Sequence, residues 1–369
     1  KMHTITHLAD YLDMFSKNLE SRGVKVHWAK DAQEFNEIVL GILKDHNVKK
    51  MVKSKSMLTE ECEMNPYLEQ HGIDVVETDL GERIIQLLGQ KPSHIVMPAI
   101  HLKREEVGKM FEEKGISKEI GNYDPTYLTR CARHHLRDQF MEAGAGMTGC
   151  NFGVAATGDC VVCTNEGNAD MTTSMPKLHI VAMGIEKLVP DYKSLAVFQR
   201  LLCRCGTGQP TTAFTSHFRQ ARPGAEMHVV LVDNGRSDIL ADKDHWQTLK
   251  CMRCGACMNT CPVYRRSGGY SYTYFIPGPI GVNLGMLKNP QKYSDNVSAC
   301  TLCLSCDNVC PSKVGPGSQI YVWRQSLEKL GKADPVKKAM SNGMKYLFDR
   351  PALYTTALKF APLANLIPE

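Results

Sequence analysis

The chain has 369 residues, 43% of them apolar and 22% charged, and carries a net charge of +5. That length allows two domains with separate cores, and basic residues scattered without an aromatic–basic stripe exclude a dedicated nucleic-acid surface. No apolar run approaches the ~20 residues of a membrane span. The stretch that opens on Lys1 lacks the layout of a secretory signal, so a soluble, cytoplasmic protein is expected.

Ile5, Leu8, Leu12, Phe15 and Leu19 recur at helical spacing, and Val24, Val26 and Trp28 then alternate as in a half-buried strand. Phe35, Ile38, Val39 and Ile42 mark the next helix. Short apolar runs at Val48–Val52, Ile73–Val76 and His94–Pro98 alternate with helical segments, which predicts a mostly parallel sheet covered by helices. Asp124-Pro125 supplies an N-cap acceptor and a proline at the first helical position, opening a helix that runs to about Ala143. A hairpin is predicted over Asn151–Ala156 and Cys160–Thr164 around a Gly158-Asp159 turn. Strands at His179–Met183 and Met227–Val232, with a helix near Asp191–Leu202 between them, are expected to complete the sheet.

After Asp233-Asn234-Gly235 the pattern becomes helical, cysteine-punctuated and rich in Gly, Pro and Tyr. The predicted organisation is an α/β domain over 1–235, an α-helical ferredoxin-like domain over 236–325, and a helical tail over 326–369 with breaks at Pro351 and Pro362.

Eight of the fifteen cysteines form two matching runs, each followed by proline: Cys251, Cys254, Cys257 and Cys261, then Cys300, Cys303, Cys306 and Cys310. This is the bacterial ferredoxin spacing, in which the fourth cysteine ligates the other cluster. By that rule Cys251, Cys254, Cys257 and Cys310 hold one [4Fe-4S] cluster, and Cys300, Cys303, Cys306 and Cys261 hold a second. Structural zinc explains neither the third cysteine, the fourth, nor the duplication. The 38 residues between Cys261 and Cys300 exceed the link of a minimal ferredoxin and suit a helical module. Lys250, Arg253, Arg265 and Arg266 flank the first run, whereas Asp307 lies in the second, so the first cluster is expected to have the higher potential. Cys160, Cys163, Cys203 and Cys205 could form a third metal site, but buried free cysteine is the ordinary state. No Gly-x-Gly-x-x-Gly follows a strand, so a nicotinamide site is not expected.

In the first domain, Lys53, Ser54, Lys55 and Ser56, with Thr157, Gly158, Asn165 and Asn168, read as a polar pocket on loops at strand ends. The lysines suit a carboxylate or phosphate, and Glu61 or Glu166 is a candidate proton acceptor. The alternative is a solvated lysine face and a simple turn.

Val52-Lys53-Ser54-Lys55-Ser56-Met57 with Glu60-Glu61, Thr148-Gly149-Cys150-Asn151-Phe152, Thr157-Gly158, Asn165-Glu166-Gly167-Asn168 and Gly278-Pro279-Ile280-Gly281, together with the twin cysteine runs, resemble the lactate utilization protein B family. The resemblance covers nearly the whole chain. It implies the iron–sulfur subunit of a flavin-independent L-lactate oxidation system. Its first domain would be similar in fold to sugar-phosphate isomerases and coenzyme A transferases. The implied partners are a cysteine-rich-domain iron–sulfur subunit and a second subunit built on the same first domain, with membrane contact only through partners. Cys160 and Cys163 depart from the family, standing where apolar strand residues are usual. A general ferredoxin-like adaptor for another dehydrogenase, with the first domain as docking scaffold, is the alternative.

Overall fold

The computed structural model describes residues 1–360 except 328 and 333; the expected break at Pro362 lies outside the described residues. Among the described residues there are ten strands: β1 (Lys25–Ala29), β2 (Lys50–Lys53), β3 (Asp74–Glu77), β4 (Ala145–Thr148), β5 (Phe152–Val154), β6 (Asp159–Thr164), β7 (Leu178–Gly184), β8 (Leu188–Val189), β9 (Phe214–Phe218) and β10 (Glu226–Val232). Six of them form a wholly parallel sheet in the order β1-β10-β7-β4-β2-β3.

The central strands are apolar on both faces, as helices covering both sides of a parallel sheet require. Ile180, Ala182, Val230 and Val232 pack toward Phe35, Val39 and Leu43 of helix Ala32–Asp45. Their neighbours Val181, Met183, Val229 and Leu231 pack toward Leu12, Phe15 and Leu19 of helix Leu8–Glu20. Phe15 and Leu19 are fully buried, each worth roughly 1.5–3 kcal/mol relative to exposure. Aspartates start three of the helices, Asp124 among them as expected. Asp31 accepts from the Glu34 amide, Asp124 from Tyr127 and Asp191 from Ser194.

Two expectations change. The hairpin does not join the main sheet; β5 and β6 belong to a second sheet, β8-β5-β6-β9. Its edge strand β9 was not anticipated, because Thr215, Ser216 and His217 offer only polar, partly exposed alternation. His94–Pro98 is no strand but a turn. His94 Nδ1 accepts the amides of Val96 and Met97, which removes donors that a ladder would need, and Ile95 is buried against the first cysteine run.

From Arg236 onward the described chain is helical. Helix Gly278–Lys288 is almost wholly buried, and helices Pro335–Phe348 and Pro351–Phe360 pack on each other. Among the described residues no helix is long and apolar enough to cross a membrane.

Candidate functional site: a strand-end cavity beside twin cysteine loops

The two cysteine runs share one backbone course. Arg253 and Gly255 have φ of 62° and 82°; Leu302 and Leu304, at the same offsets in the second run, have 54° and 58°. Three of these four are not glycine, a conformation costing an L-residue about 1–2 kcal/mol. The return is amides turned toward sulfur: Arg253 N donates to Cys251 Sγ at 3.4 Å and Leu302 N to Cys300 Sγ at 3.4 Å. Each loop then enters a five-residue helix, Ala256–Thr260 or Ser305–Val309, and the fourth cysteine ends it in extended conformation.

These two short helices pack together, and that contact crosses the fourth cysteines over. One small cavity is lined by Cys251, Cys254, Cys257 and Cys310, with Ile95, Ile280 and Val314 around them. On the other side Tyr272 hydrogen-bonds Cys261, and Cys261 lies near enough to Cys300 and Cys306 to raise both thiols after burial, their main cause, has done so. Burial pushes Cys254 and Cys306 up to about 12, so cation binding is what makes them thiolates.

The spacing fits an iron–sulfur cluster better than a single ion. Tetrahedral zinc with Zn–S of about 2.3 Å needs sulfurs roughly 3.8 Å apart. Among the described residues the only three ligand atoms within 4.8 Å of one another belong to His46, Glu226 and His228, far from the runs. That trio is already engaged: Glu226 pairs with Lys25 at 2.5 Å and His228 with His27 at 2.9 Å. Cys160 and Cys203 are buried free thiols, and Cys163 and Cys205 are partly exposed ones.

The insert between the runs acts as a cover. Ile280 N donates to the Cys257 sulfur. A Cβ on Gly281 would lie 1.7 Å from the Ile276 carbonyl oxygen, so only glycine lets that helix start so close. The tyrosines are mainly structural: Tyr264 and Tyr270 donate to Ser93 O at 2.8 Å and Lys91 O at 2.7 Å, pinning the turn that carries Ile95.

A cavity of about 220 Å³ opens at the C-terminal ends of β2, β4 and β7, where parallel sheets bind ligands. Lys55, Ser56, Asn165 and Glu166 line it, and so do Arg253 and Cys254 of the first cysteine run. Lys187 and Asp79, which sequence reasoning did not single out, complete its charged lining. Lys55 Nζ donates to Val96 O at 3.0 Å and faces Glu82 at 3.6 Å. Glu166 accepts from the Leu80 amide; burial, with the Asp79 carboxylate beside it, pushes its carboxyl up to about 7.

The other predicted residues lie elsewhere. Lys53 is fully buried, paired with Glu77 at 2.6 Å and bonded to Thr59. Ser54 is buried beside it with no hydrogen-bond partner for its hydroxyl among the described residues, and Asn168 donates to Thr78. Thr157 and Gly158 sit at the hairpin turn, against Asn18 and Leu19. Glu61 is held by Arg236 through two bonds of 3.0 Å, while Arg236 Nε reaches Glu186 at 2.6 Å. The opposing cation outweighs burial and holds the Glu61 carboxyl below its usual range, leaving it a poor proton acceptor.

An α/β unit whose strand-end cavity borders a duplicated cysteine module defines the class: an iron–sulfur protein with an α/β first domain. The LUD domain family matches residues 12–237 and the 4Fe-4S dicluster domain family matches residues 247–314. The chain belongs to the lactate utilization protein B family and carries two [4Fe-4S] clusters. It is 42% identical to lactate utilization protein B of Bacillus cytotoxicus over 99% of this chain and 78% of that one. Identity is 41% to the proteins of that name from Bacillus pumilus, over 98% and 78% of the two chains, and from Geobacillus thermodenitrificans, over 99% and 78%. A solved DUF162 family protein from Deinococcus radiodurans aligns over 61% of this chain and 98% of its own at 13% identity and a TM-score of 0.34, too low to support any argument.

Proposed function

We propose that this chain is the iron–sulfur electron-transfer subunit of a complex oxidising L-lactate to pyruvate, working in the cytoplasm with a cysteine-rich-domain iron–sulfur subunit and a second subunit built on a LUD domain. The observation that carries the reading is the shared wall: the cavity at the sheet's strand ends is closed by Arg253 and Cys254 of the first cysteine run. The names of the relatives supply the substrate. An adaptor that used its first domain only for docking would have no need of a charged cavity there.

The residue sets proposed to hold the clusters are Cys251, Cys254, Cys257 and Cys310 for the first, and Cys300, Cys303, Cys306 and Cys261 for the second. Bound there, the clusters supply one-electron steps, and lactate oxidation releases two electrons. Around them the chain sets charge. Arg253 hydrogen-bonds the Cys251 sulfur, and Lys250 lies close to Cys310. Asp307 is 3.5 Å from the Cys306 sulfur, partly offset by Arg324 at the Cys300 carbonyl. The first cluster is therefore expected to titrate at the higher potential in a redox titration followed by electron paramagnetic resonance; the reverse order would refute this assignment of charge.

Glu166 is the proposed proton acceptor in the cavity. With its carboxyl near 7 it gains basic form as pH rises through neutrality. Lactate-dependent reduction by the assembled complex should rise about tenfold per pH unit below that value and level off above it. Glu166→Gln should lower the rate by roughly 10²-fold and flatten the profile; an unchanged profile would remove Glu166 from this role. The function itself is tested by adding L-lactate to the purified chain alone and with the products of its neighbouring genes. Cluster reduction in the complex supports it, and no reduction under any pairing defeats it.

A further inference from the structure

We infer that Arg253 couples occupancy of the strand-end cavity to the first cluster, and that the cavity takes a small 2-hydroxy monocarboxylate; the inference rests on the reading above. The two cysteine loops make the same left-handed turn two residues after their first cysteine. The second run places Leu302 there, packed on an apolar cluster with Val282 and Met286. The first run places a guanidinium there, which lines the cavity and hydrogen-bonds the Cys251 sulfur. One side chain thus touches both ligand space and a cluster ligand.

Its charge is felt by Glu186 and Glu61 without a close pairing. Glu61 and Glu186 direct their short contacts to Arg236, and among the described residues Arg253 makes no ion pair of that kind. Lys187, on the same lining, is 3.8 Å from the Glu186 carboxylate. A guanidinium fork with an ammonium beside it matches the two oxygens of a carboxylate. The lining is not uniformly positive: Asp79 and Glu166 also belong to it. They disfavour a dianion and can accept a hydrogen bond from a hydroxyl next to the carboxylate. The volume, about 220 Å³, lies below that of pockets for drug-sized ligands and leaves ample room for a small carboxylate.

An anion on Arg253 offsets the positive charge beside Cys251, which disfavours the reduced cluster. Linkage then requires the carboxylate to bind the oxidised protein more tightly than the reduced, with a coupling of about tenfold.

The test uses the full chain with both clusters, titrated with L-lactate in oxidised and dithionite-reduced form, with lactamide and inorganic phosphate as comparison probes. Expected are tighter binding of lactate when oxidised, weak or no binding of the neutral amide and of phosphate, and a spectral change in the Cys251 cluster alone. Arg253→Met should abolish the redox dependence and Arg253→Lys should restore part of it. Should Arg253→Met fail to assemble, Arg253→Lys alone should shrink the redox dependence, and an undiminished dependence in that variant would overturn the inference. Equal affinity in both redox states, equal binding of lactamide, or a spectral change that survives Arg253→Met would overturn the inference. Coupled binding without reduction in the complex would defeat the lactate-oxidising function alone, whereas reduction without coupling would defeat only the role of Arg253.

Discussion

Cys261→Ser is expected to damage the cluster bound at Cys300, Cys303 and Cys306 while sparing the one bound at the cysteines adjacent to it in sequence. The reason is the packing of the two short helices, which takes Cys261 to Cys300 and Cys306 and leaves Cys310 in the cavity of the first run. Serine is a poorer ligand for the iron, so the affected cluster should lose one iron or be lost entirely. Iron content and electron paramagnetic resonance should show that change, with the other signal retained. Cys310→Ser should do the reverse. Damage confined to the sequence-adjacent cluster in either variant would rule out crossed ligation.

Arg236→Met should cost on the order of 3–5 kcal/mol of stability, since it strands two buried carboxylates. Arg236 is 5% exposed and holds Glu61 through two bonds and Glu186 through one. Burial alone would raise the Glu186 carboxyl, but Arg236, with Lys187 and Arg253, holds it down to about 2. A carboxyl depressed in the folded state stabilises above its ordinary value of 4.5, and that contribution fades as pH falls toward about 2. In Arg236→Met the same carboxyls should sit above their ordinary range, so mild acid should recover part of the loss. Urea unfolding of wild type and variant at pH 5 and pH 7.5 measures both; a loss under 1 kcal/mol would show that the triad contributes little to holding the fold.

Where local signals suffice, the fold was legible. Strand–helix–strand spacing announced a covered parallel sheet, which the runs at β7 and β10 complete, and Asp124-Pro125 announced its helix. The cysteine runs were legible because ligand spacing is itself local. What failed depends on partners remote in sequence. β9 is recognisable only beside β6, and the apolar His94–Pro98 run has a strand's composition but spends its amides on a histidine ring. The cavity shows the same limit. Lys53 and Lys55 look equivalent in sequence, yet one is buried on Glu77 and the other faces open space. Arg253 and Lys187 reach that space from elements far along the chain, and within the cysteine run Arg253 reads only as one of four cations beside the first cluster. Its one local signal is a long cationic residue at a position that the loop forces to positive φ.

The central claim is that electrons from lactate enter this chain beside the cavity, at the first cluster. Rapid freeze-quench electron paramagnetic resonance of the assembled complex, mixed with L-lactate, tests it most directly. The signal of the cluster at Cys251, Cys254 and Cys257 should appear first and that of its neighbour should follow, both within the time of one turnover. Reduction in the opposite order, or pyruvate formed while both clusters stay oxidised, would contradict it.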